Sequence, residues 1–224
     1  VAIGSLIIAV PLGLLCAVFL AEIAPSWARS VLKHAIKLLV GIPSVIFGFV
    51  GLVLLVPFIR DHLGGWGFSI LAGSIILAIV ALPRIISISD DAIRAVPREY
   101  KEASLALGAT HWHTIRKVIL PSARSGIVAA VVLAMATSIG ETMAVMMVTG
   151  NAARLPLTLN SFLMPVRTKT ATIAAEMGEV AQGSPHYHIL FAIGLVLFVI
   201  TFIVNLAASW TLFRQGKRYG RLLS

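Results

Sequence analysis

Five long apolar stretches dominate the pattern of hydrophobic and polar positions along the chain. They cover residues 2–21, 38–59, 68–89, 125–149 and 187–213. Each is long enough to cross a bilayer, because a spanning helix needs about 20 predominantly apolar residues. Charged side chains are almost absent from all five. The pattern therefore predicts an all-α integral membrane protein, a polytopic helical bundle with about five spans in this sequence.

Prolines and glycines inside these stretches predict details of the bundle. The prolines are expected to kink helices rather than end them, because neighbouring helices can satisfy the freed backbone groups; they are Pro11, Pro43, Pro57 and Pro83. Glycine allows helices to approach closely. The glycines expected at helix contacts are Gly41, Gly48, Gly51 and Gly73.

The composition agrees with a membrane location. Hydrophobic residues make up 58% of the chain and charged residues only 12%, and the mean hydropathy is +0.97. A soluble domain has about 25% charged residues. The net charge of +9 could indicate nucleic acid or anionic lipid as a partner. We favour the excess of cytoplasmic Lys and Arg typical of membrane proteins, with lipid and no nucleic acid as a partner.

The position of the basic residues predicts the orientation. Segments 22–37 and 84–124 and the tail after residue 213 hold most of the Lys and Arg, whereas the other connections hold only Arg60, Arg154, Arg167 and Lys169. The positive-inside rule therefore places the 84–124 loop and the C-terminus in the cytoplasm. Because the chain starts at Val1 within an apolar stretch, we expect a sixth span upstream. The single cysteine, Cys16, is expected to be a packing residue.

The loop at 97–121, PREYKEASLALGATHWHTIRKVILP, predicts two short helices joined by a glycine turn. Pro97 suits the first turn of a helix and Gly108 its end. Thr110 is a suitable N-cap for a second helix that ends before Pro121. One face of the first helix should carry residues at i, i+3, i+4 and i+7 spacing, namely Tyr100, Ala103, Ser104 and Leu107. Its small residues would let another protein approach closely.

This loop resembles the signature of permease subunits of binding-protein-dependent ABC importers. In that family a Glu-Ala-Ala run is followed after three residues by Gly and, nine residues further on, by Ile-x-Leu-Pro. The matching residues here are Glu102, Ala103, Ser104, Gly108, Leu120 and Pro121. Ser104 replaces the second alanine, and Val118 replaces the isoleucine. The resemblance implies that residues 95–121 dock on an ATPase subunit.

The resemblance extends over nearly the whole chain. It is strongest to phosphate importers, and among their two permeases to the C-type. It includes GIPSVIFGFVGL at 41–52, AVPREYKEASLALGAT at 95–110 and GETMAVMMVTGN at 140–151. It implies one transmembrane domain over residues 1–224, truncated at its N-terminus, in the cell membrane of a prokaryote. Implied partners are a second homologous permease, an ATPase dimer that binds ATP and Mg, and an extracytoplasmic phosphate-binding protein. No cofactor on this chain is implied.

Glu141 is the only ionisable side chain from Ser125 through Ala153. An ionised side chain at mid-bilayer costs about 2.5–3.5 kcal/mol on insertion scales, so such residues usually face an aqueous path or the bundle interior. The candidate residues of a substrate pathway or gate are Glu141, Thr142, Ser138, Thr137 and Asn151. A structural hydrogen bond or an ion pair between subunits is the alternative. Many relatives have an arginine where this chain has Thr137, so a basic partner of Glu141 must come from elsewhere.

The remaining polar residues carry weaker signals. Arg84 is expected to reach the membrane interface. Two His-x-His pairs, His111/His113 and His186/His188, are not expected to bind metal, since no carboxylate or cysteine cluster completes either set. Glu176 and Glu179 are expected to contact solvent or a partner. The run LPLTLNSFLMPV in the outer connection predicts an interfacial or re-entrant segment.

These features bear on three classes of function, namely an enzyme, an ABC permease and a self-contained channel or secondary transporter. The chain has no G-x-x-x-x-G-K-[ST] run and no catalytic constellation, so it is predicted to be a transport subunit and not an enzyme. The leading interpretation is a phosphate permease that works by alternating access. An ABC permease for another oxyanion or small solute, or a self-contained channel or secondary transporter, remains as an alternative.

Overall fold

The computed structural model describes residues 1–154 and 159–220, with side chains for all of these except 159, 160, 208, 209 and 211–220. The described chain contains no β-strand, and Gly150 and Val166 form an isolated parallel bridge. A short 3-10 helix covers Leu159–Leu163. The helices in chain order are α1 (Ala2–Ile23), α2 (Ser26–Gly41), α3 (Ser44–Leu63), α4 (Ile70–Arg94), α5 (Arg98–Ala106), α6 (His111–Ser122), α7 (Arg124–Gly140), α8 (Met143–Thr149), α9 (Lys169–Glu176) and α10 (Pro185–Gly220).

Four of these helices are long and apolar enough to cross a membrane. They are α1, α3, α4 and residues Pro185–Ala207 of α10. A fifth span exists if α6 and α7, which bend by 67° at Ala123, are taken together. The predicted all-α membrane bundle is thereby confirmed. Residues 155–158 of the predicted re-entrant segment lie outside the described residues.

Two predicted spans are interrupted where the sequence pattern looked continuous. The stretch 38–59 is divided between the end of α2 and the start of α3. The division falls at Pro43, whose extended backbone (φ −56°, ψ 135°) separates the two helices. The stretch 125–149 is broken between α7 and α8 at Glu141 and Thr142. Glycine at position 140 has low helix propensity, and the Glu141 carboxylate accepts a hydrogen bond from the Ala144 N–H at 3.4 Å.

The helix predicted to end before Pro121 instead runs through it to Ser122. A π-helical turn at Ile115–Ile119 precedes the proline, which then stands in the first turn of the next helical segment. A proline is tolerated there because its missing N–H would be unpaired in any case. Two further π-helical turns occur, at Phe19–Ile23 in α1 and at Gly51–Leu55 in α3.

The packing divides into two compact units, and the first consists of Val1–Ile8, Ile42–Ala81 and Met135–Val204. Its core contains Val56, Ile59, Ala72, Ile76, Ala144 and Val148. Close helix approach at glycine is confirmed here. A Cβ on Gly48 would lie 2.8 Å from the Ala144 Cα, and one on Gly51 2.7 Å from the Ile76 side chain. At Gly73 it would lie 2.6 Å from Thr149 Cγ2.

The second unit consists of Ala9–Gly41, Leu82–Ala134 and the chain from Asn205 onward. Its core contains Ala17, Val18, Ile93, Ile115, Ile119 and Ala123. Here the expected contact at Gly41 is wrong, since nothing lies within 4 Å of a Cβ built there. The expected packing role of Cys16 is also wrong, because its side chain is exposed.

Candidate functional site

A cavity of about 680 Å³ lies in the first unit beside the break between α7 and α8. Apolar residues such as Ile70, Leu77 and Val145 form part of its wall. The polar part of the wall consists of Ser138, Glu141, Arg154, Arg167, Thr168, Lys169 and Thr170. This cavity therefore combines an apolar lining with one carboxylate and three cationic side chains, an arrangement suited to a small anion.

Glu141 reaches the cavity because the chain leaves the helical path at this residue. Its carboxylate is hydrogen-bonded to the Ala144 N–H at 3.4 Å, and its carbonyl accepts a hydrogen bond from Thr170 Oγ1 at 3.4 Å. Among the side chains that the structure describes, no cationic group lies within ion-pair distance of the carboxylate. Its charge therefore acts on the three cations through the cavity and not through a direct contact.

Arg167 is held in place by two partners. Its Nε donates to the Asn151 carbonyl at 3.2 Å, and its Nη1 forms an ion pair with Glu176 Oε1. The second carboxylate oxygen of Glu176 lies 2.9 Å from His186 Nε2. The hydrogen bond with His186, together with the Arg167 guanidinium, lowers the pKa of the Glu176 carboxyl. Arg167 is thus pre-oriented at the cavity wall by a carboxylate that stays ionised.

The sequence did not single out the three cations of the cavity. Arg154, Arg167 and Lys169 appeared only as the few basic residues of an outer connection. The available signal was their clustering in the segment that follows the Glu141 stretch. The expectation for Glu176 is wrong, because its carboxylate contacts Arg167 and His186 of its own chain instead of only solvent or a partner protein.

The predicted pathway residues are only partly brought together. Ser138 and Glu141 line the cavity, and the buried Ser138 Oγ has no hydrogen-bond partner among the described residues. Asn151 contributes its backbone carbonyl, which accepts a hydrogen bond from Arg167 and so positions that side chain. Thr137 and Thr142 are not part of the cavity wall, and Thr142 Oγ1 donates to the Gly140 carbonyl at 3.2 Å. The helix break rotates Thr142 out of the polar stripe that a continuous helix would form.

The loop at 95–121 folds largely as predicted. α5 ends at Ala106, Gly108 takes a φ of +81°, and the Thr110 side chain caps α6 by accepting from the His113 N–H at 3.3 Å. Such a φ strongly favours glycine. α5 has no buried residue and leaves Leu107 89% exposed. The helix therefore presents an open surface to a partner.

The predicted docking residues have different surroundings in the structure. Ser104 Oγ lies 2.9 Å from Thr114 Oγ1, so this side chain faces α6 and not the open surface. Leu120 packs against the core of the second unit. Pro121 is exposed, whereas Glu102 lines a cavity beneath α5. Docking through Glu102, Ala103, Ser104, Gly108, Leu120 and Pro121 stays a prediction.

A polytopic helical fold, a cavity lined by charged side chains beside a helix break and an exposed helix–glycine–helix loop are typical of a membrane transport protein. The chain belongs to the family described as "Binding-protein-dependent transport system inner membrane component", whose model matches residues 9–216. The resemblance to ABC importer permeases is thereby confirmed. The chain is a multi-pass inner-membrane permease, one component of a transport system that also has others.

Relatives support the same family. A Bacillus subtilis protein described as "Probable ABC transporter permease protein YqgH" is 48% identical over 204 residues, which are 91% of this chain and 65% of that protein. The "Phosphate transport system permease protein PstC" of Mesorhizobium japonicum is 39% identical over 236 residues, covering 96% of this chain and 71% of that protein. The chain thus spans about two thirds of the length of these relatives.

Solved structures show the same fold at lower identity. The chain is similar to a chain of the MetNI methionine ABC transporter in an inward-facing conformation, with a TM-score of 0.67 and 21% identity. The match covers 95% of this chain and 88% of that chain. At this identity the similarity concerns the fold alone.

Proposed function

We propose that this chain is a permease subunit of an ATP-driven importer of inorganic phosphate. The observation that carries the substrate class is the cavity beside the α7–α8 break, where Arg154, Arg167 and Lys169 share one wall. Cationic side chains bind phosphate oxygens through charge-assisted hydrogen bonds. The phosphate permease relative at 39% identity supports phosphate among the possible anions.

The proposed mechanism is alternating access driven by a separate ATPase. The transporter would contain a second homologous permease, an ATPase dimer that binds ATP and Mg, and an extracytoplasmic phosphate-binding protein. The 95–121 loop and the C-terminus lie in the cytoplasm, where α5 docks on the ATPase. This chain itself needs no cofactor for this role. Its exposed α5 and the Gly108 turn support such a docking function.

In this proposal Glu141 adjusts the electrostatics of the pathway. A carboxylate is a poor ligand for phosphate, but it reduces the net positive charge of a cavity that holds three cations. Transport requires binding that is favourable enough for entry and weak enough for release. Glu141, Ser138 and Thr170 would therefore lie along a path or gate where Arg167 meets the anion.

A different oxyanion is the second candidate, because cations alone do not distinguish phosphate from sulfate. The test is uptake into proteoliposomes that contain this chain with the partner subunits encoded beside it. We expect uptake of labelled phosphate that requires both ATP and the binding protein. A tenfold excess of sulfate should change the rate of this uptake by no more than about twofold. Uptake without ATP, or stronger competition by sulfate than by unlabelled phosphate, would contradict the proposal.

A further inference from the structure

The helix α5 is attached to the rest of the second unit by few side-chain contacts. None of its residues is buried, and a cavity of about 590 Å³ lies beneath it. Residues of α5 and of the end of α1 share the wall of this cavity, among them Glu22, Lys101 and Leu105. A helix that lies over a cavity cannot transmit force through close packing. Its movement must pass through its chain ends and its polar contacts.

One polar contact joins α5 to α1 across 79 positions of sequence. Lys101 Nζ lies 2.5 Å from Glu22 Oε2, and the Glu22 side chain is only 10% exposed. Among the described residues, the other side-chain hydrogen bond of α5, between Ser104 and Thr114, reaches only the following helix. His111 Nε2 approaches the same Glu22 oxygen at 3.8 Å. The carboxylate of Glu22 is therefore the point where α5 is attached to α1.

The end of α1 is itself rigidly held around Glu22. Its last turn is π-helical, and the Leu20 carbonyl accepts hydrogen bonds from Arg29 Nε at 2.9 Å and Arg94 Nη2 at 2.7 Å. Arg29 Nη2 also donates to the carbonyls of Ala21 at 3.3 Å and Ala24 at 3.2 Å. Because these bonds satisfy the carbonyls that end the helix, a displacement of Glu22 displaces the end of α1 with it.

We propose that the Glu22–Lys101 ion pair is the mechanical link through which movement of α5 reaches the first span. This inference rests on the proposed function, in which an ATPase moves α5. A partly buried ion pair suits this task, since it is short, directional and only weakly screened by salt. Glu22 and Lys101 are positioning residues that couple ATP hydrolysis to transport and do not contact the substrate.

The experiment measures phosphate transported per ATP hydrolysed by the reconstituted complex. The variants are Glu22→Gln, Lys101→Met, the double variant and the conservative Lys101→Arg, with Lys37→Met at an exposed position of α2, outside the docking loop, as the matched control. We expect each single variant to lower the ratio about tenfold while ATP hydrolysis persists. Because both residues act through one contact, the double variant should also lose about tenfold and not a hundredfold. Lys101→Arg and Lys37→Met should stay within about twofold of the unchanged chain.

Three results would overturn the inference. The first is an unchanged ratio in Glu22→Gln or Lys101→Met. The second is a double variant whose loss is the product of the single losses, because the residues would then act separately. The third is failure of a single variant to copurify with the partner subunits, which would make the pair an assembly element. The unchanged chain tests the proposed function: absence of ATP-dependent phosphate uptake there would refute that function instead.

Discussion

Glu141 lies in a break between two helices, and its carboxylate lines a cavity together with Arg154, Arg167 and Lys169. This arrangement answers the question raised by the absence of an arginine at position 137. The positive charges come from the segment after α8 and from the start of α9. No described cation contacts the carboxylate directly, so its effect on an anion is electrostatic and extends over the whole cavity.

Replacing Glu141 tests this electrostatic role at the scale of one residue. Glu141→Gln keeps the size of the side chain but removes the negative charge, so an anion should be released more slowly from a more positive cavity. We expect the maximal uptake rate to fall about tenfold with no rise in the half-saturating phosphate concentration. The exposed Glu179→Gln is the control. Normal transport by both Glu141→Gln and Glu141→Ala, with normal assembly, would refute the role.

Arg167 should act on binding rather than on release. Arg167→Gln removes a charge-assisted bond to the anion, which is worth about 1.5–3 kcal/mol, so the half-saturating phosphate concentration should rise about tenfold or more. The measurement is uptake as a function of the phosphate concentration offered with saturating binding protein. Lys37→Gln, at an exposed lysine of the second unit, controls for loss of a positive charge. An unchanged half-saturating concentration in Arg167→Gln would exclude Arg167 from the pathway.

The ion pair of the Glu176 carboxylate should make the stability of the fold depend on pH. The pKa of this carboxyl is lowered from the ordinary 4.5 by its hydrogen bond with His186 and by Arg167. A lowered folded-state pKa means that the ion pair stabilises the fold above the unfolded value and that this stabilisation is lost as pH falls through the folded value. Thermal unfolding should therefore show Glu176→Gln less stable at pH 7, with the difference disappearing well below pH 4.5. A difference that grows on acidification would contradict this ion pair.

Among the elements, the helix–glycine–helix loop has the clearest consequence. Gly108 has a φ of +81°, and a β-branched residue there would be strained by about 1–3 kcal/mol. We expect Gly108→Val to leave the permease in the membrane and ATP hydrolysis measurable, while phosphate uptake per ATP falls strongly. Gly178→Val is a matched control, because Gly178 is exposed with no atom within 4 Å of a Cβ built on it. Normal coupled uptake by Gly108→Val would count against the docking function of the loop.

Some features of the helices and turns could be predicted from the sequence, and others could not. Hydrophobic length was sufficient to predict a bundle of about five spans but not where each span is interrupted, whereas the Thr110 cap and the Gly108 turn followed from local backbone chemistry. The break at Glu141 could not be predicted, because a glycine and a single acidic residue are common within continuous apolar helices. The break depends on tertiary contacts, including the hydrogen bond from Thr170 to the Glu141 carbonyl. The continuation of α6 through Pro121 follows a local π-helical turn at Ile115–Ile119, which the sequence pattern did not indicate.

For the whole molecule, family membership follows from the sequence, whereas the cavity does not. The Glu102–Pro121 loop and the GETMAV run are sufficient to indicate an ABC importer permease from the sequence alone. The grouping of Arg167 with Glu141 joins residues of two distant segments, and the pairing of Lys101 with Glu22 spans 79 positions. Pairings of this kind are set by the packing of the helices. They cannot be predicted from a local sequence pattern.

The central claim, that an anion passes through the cavity beside Glu141, can be tested by chemical modification. Thr170→Cys is introduced into a Cys16→Ala chain, assembled with cysteine-free partners, and treated with an anionic methanethiosulfonate. Ala174→Cys on the same helix α9, outside the cavity wall, is the control. We expect modification of Thr170→Cys to abolish phosphate uptake and bound phosphate to slow the reaction, with neither effect in the control. Full uptake after complete modification of Thr170→Cys would contradict the claim.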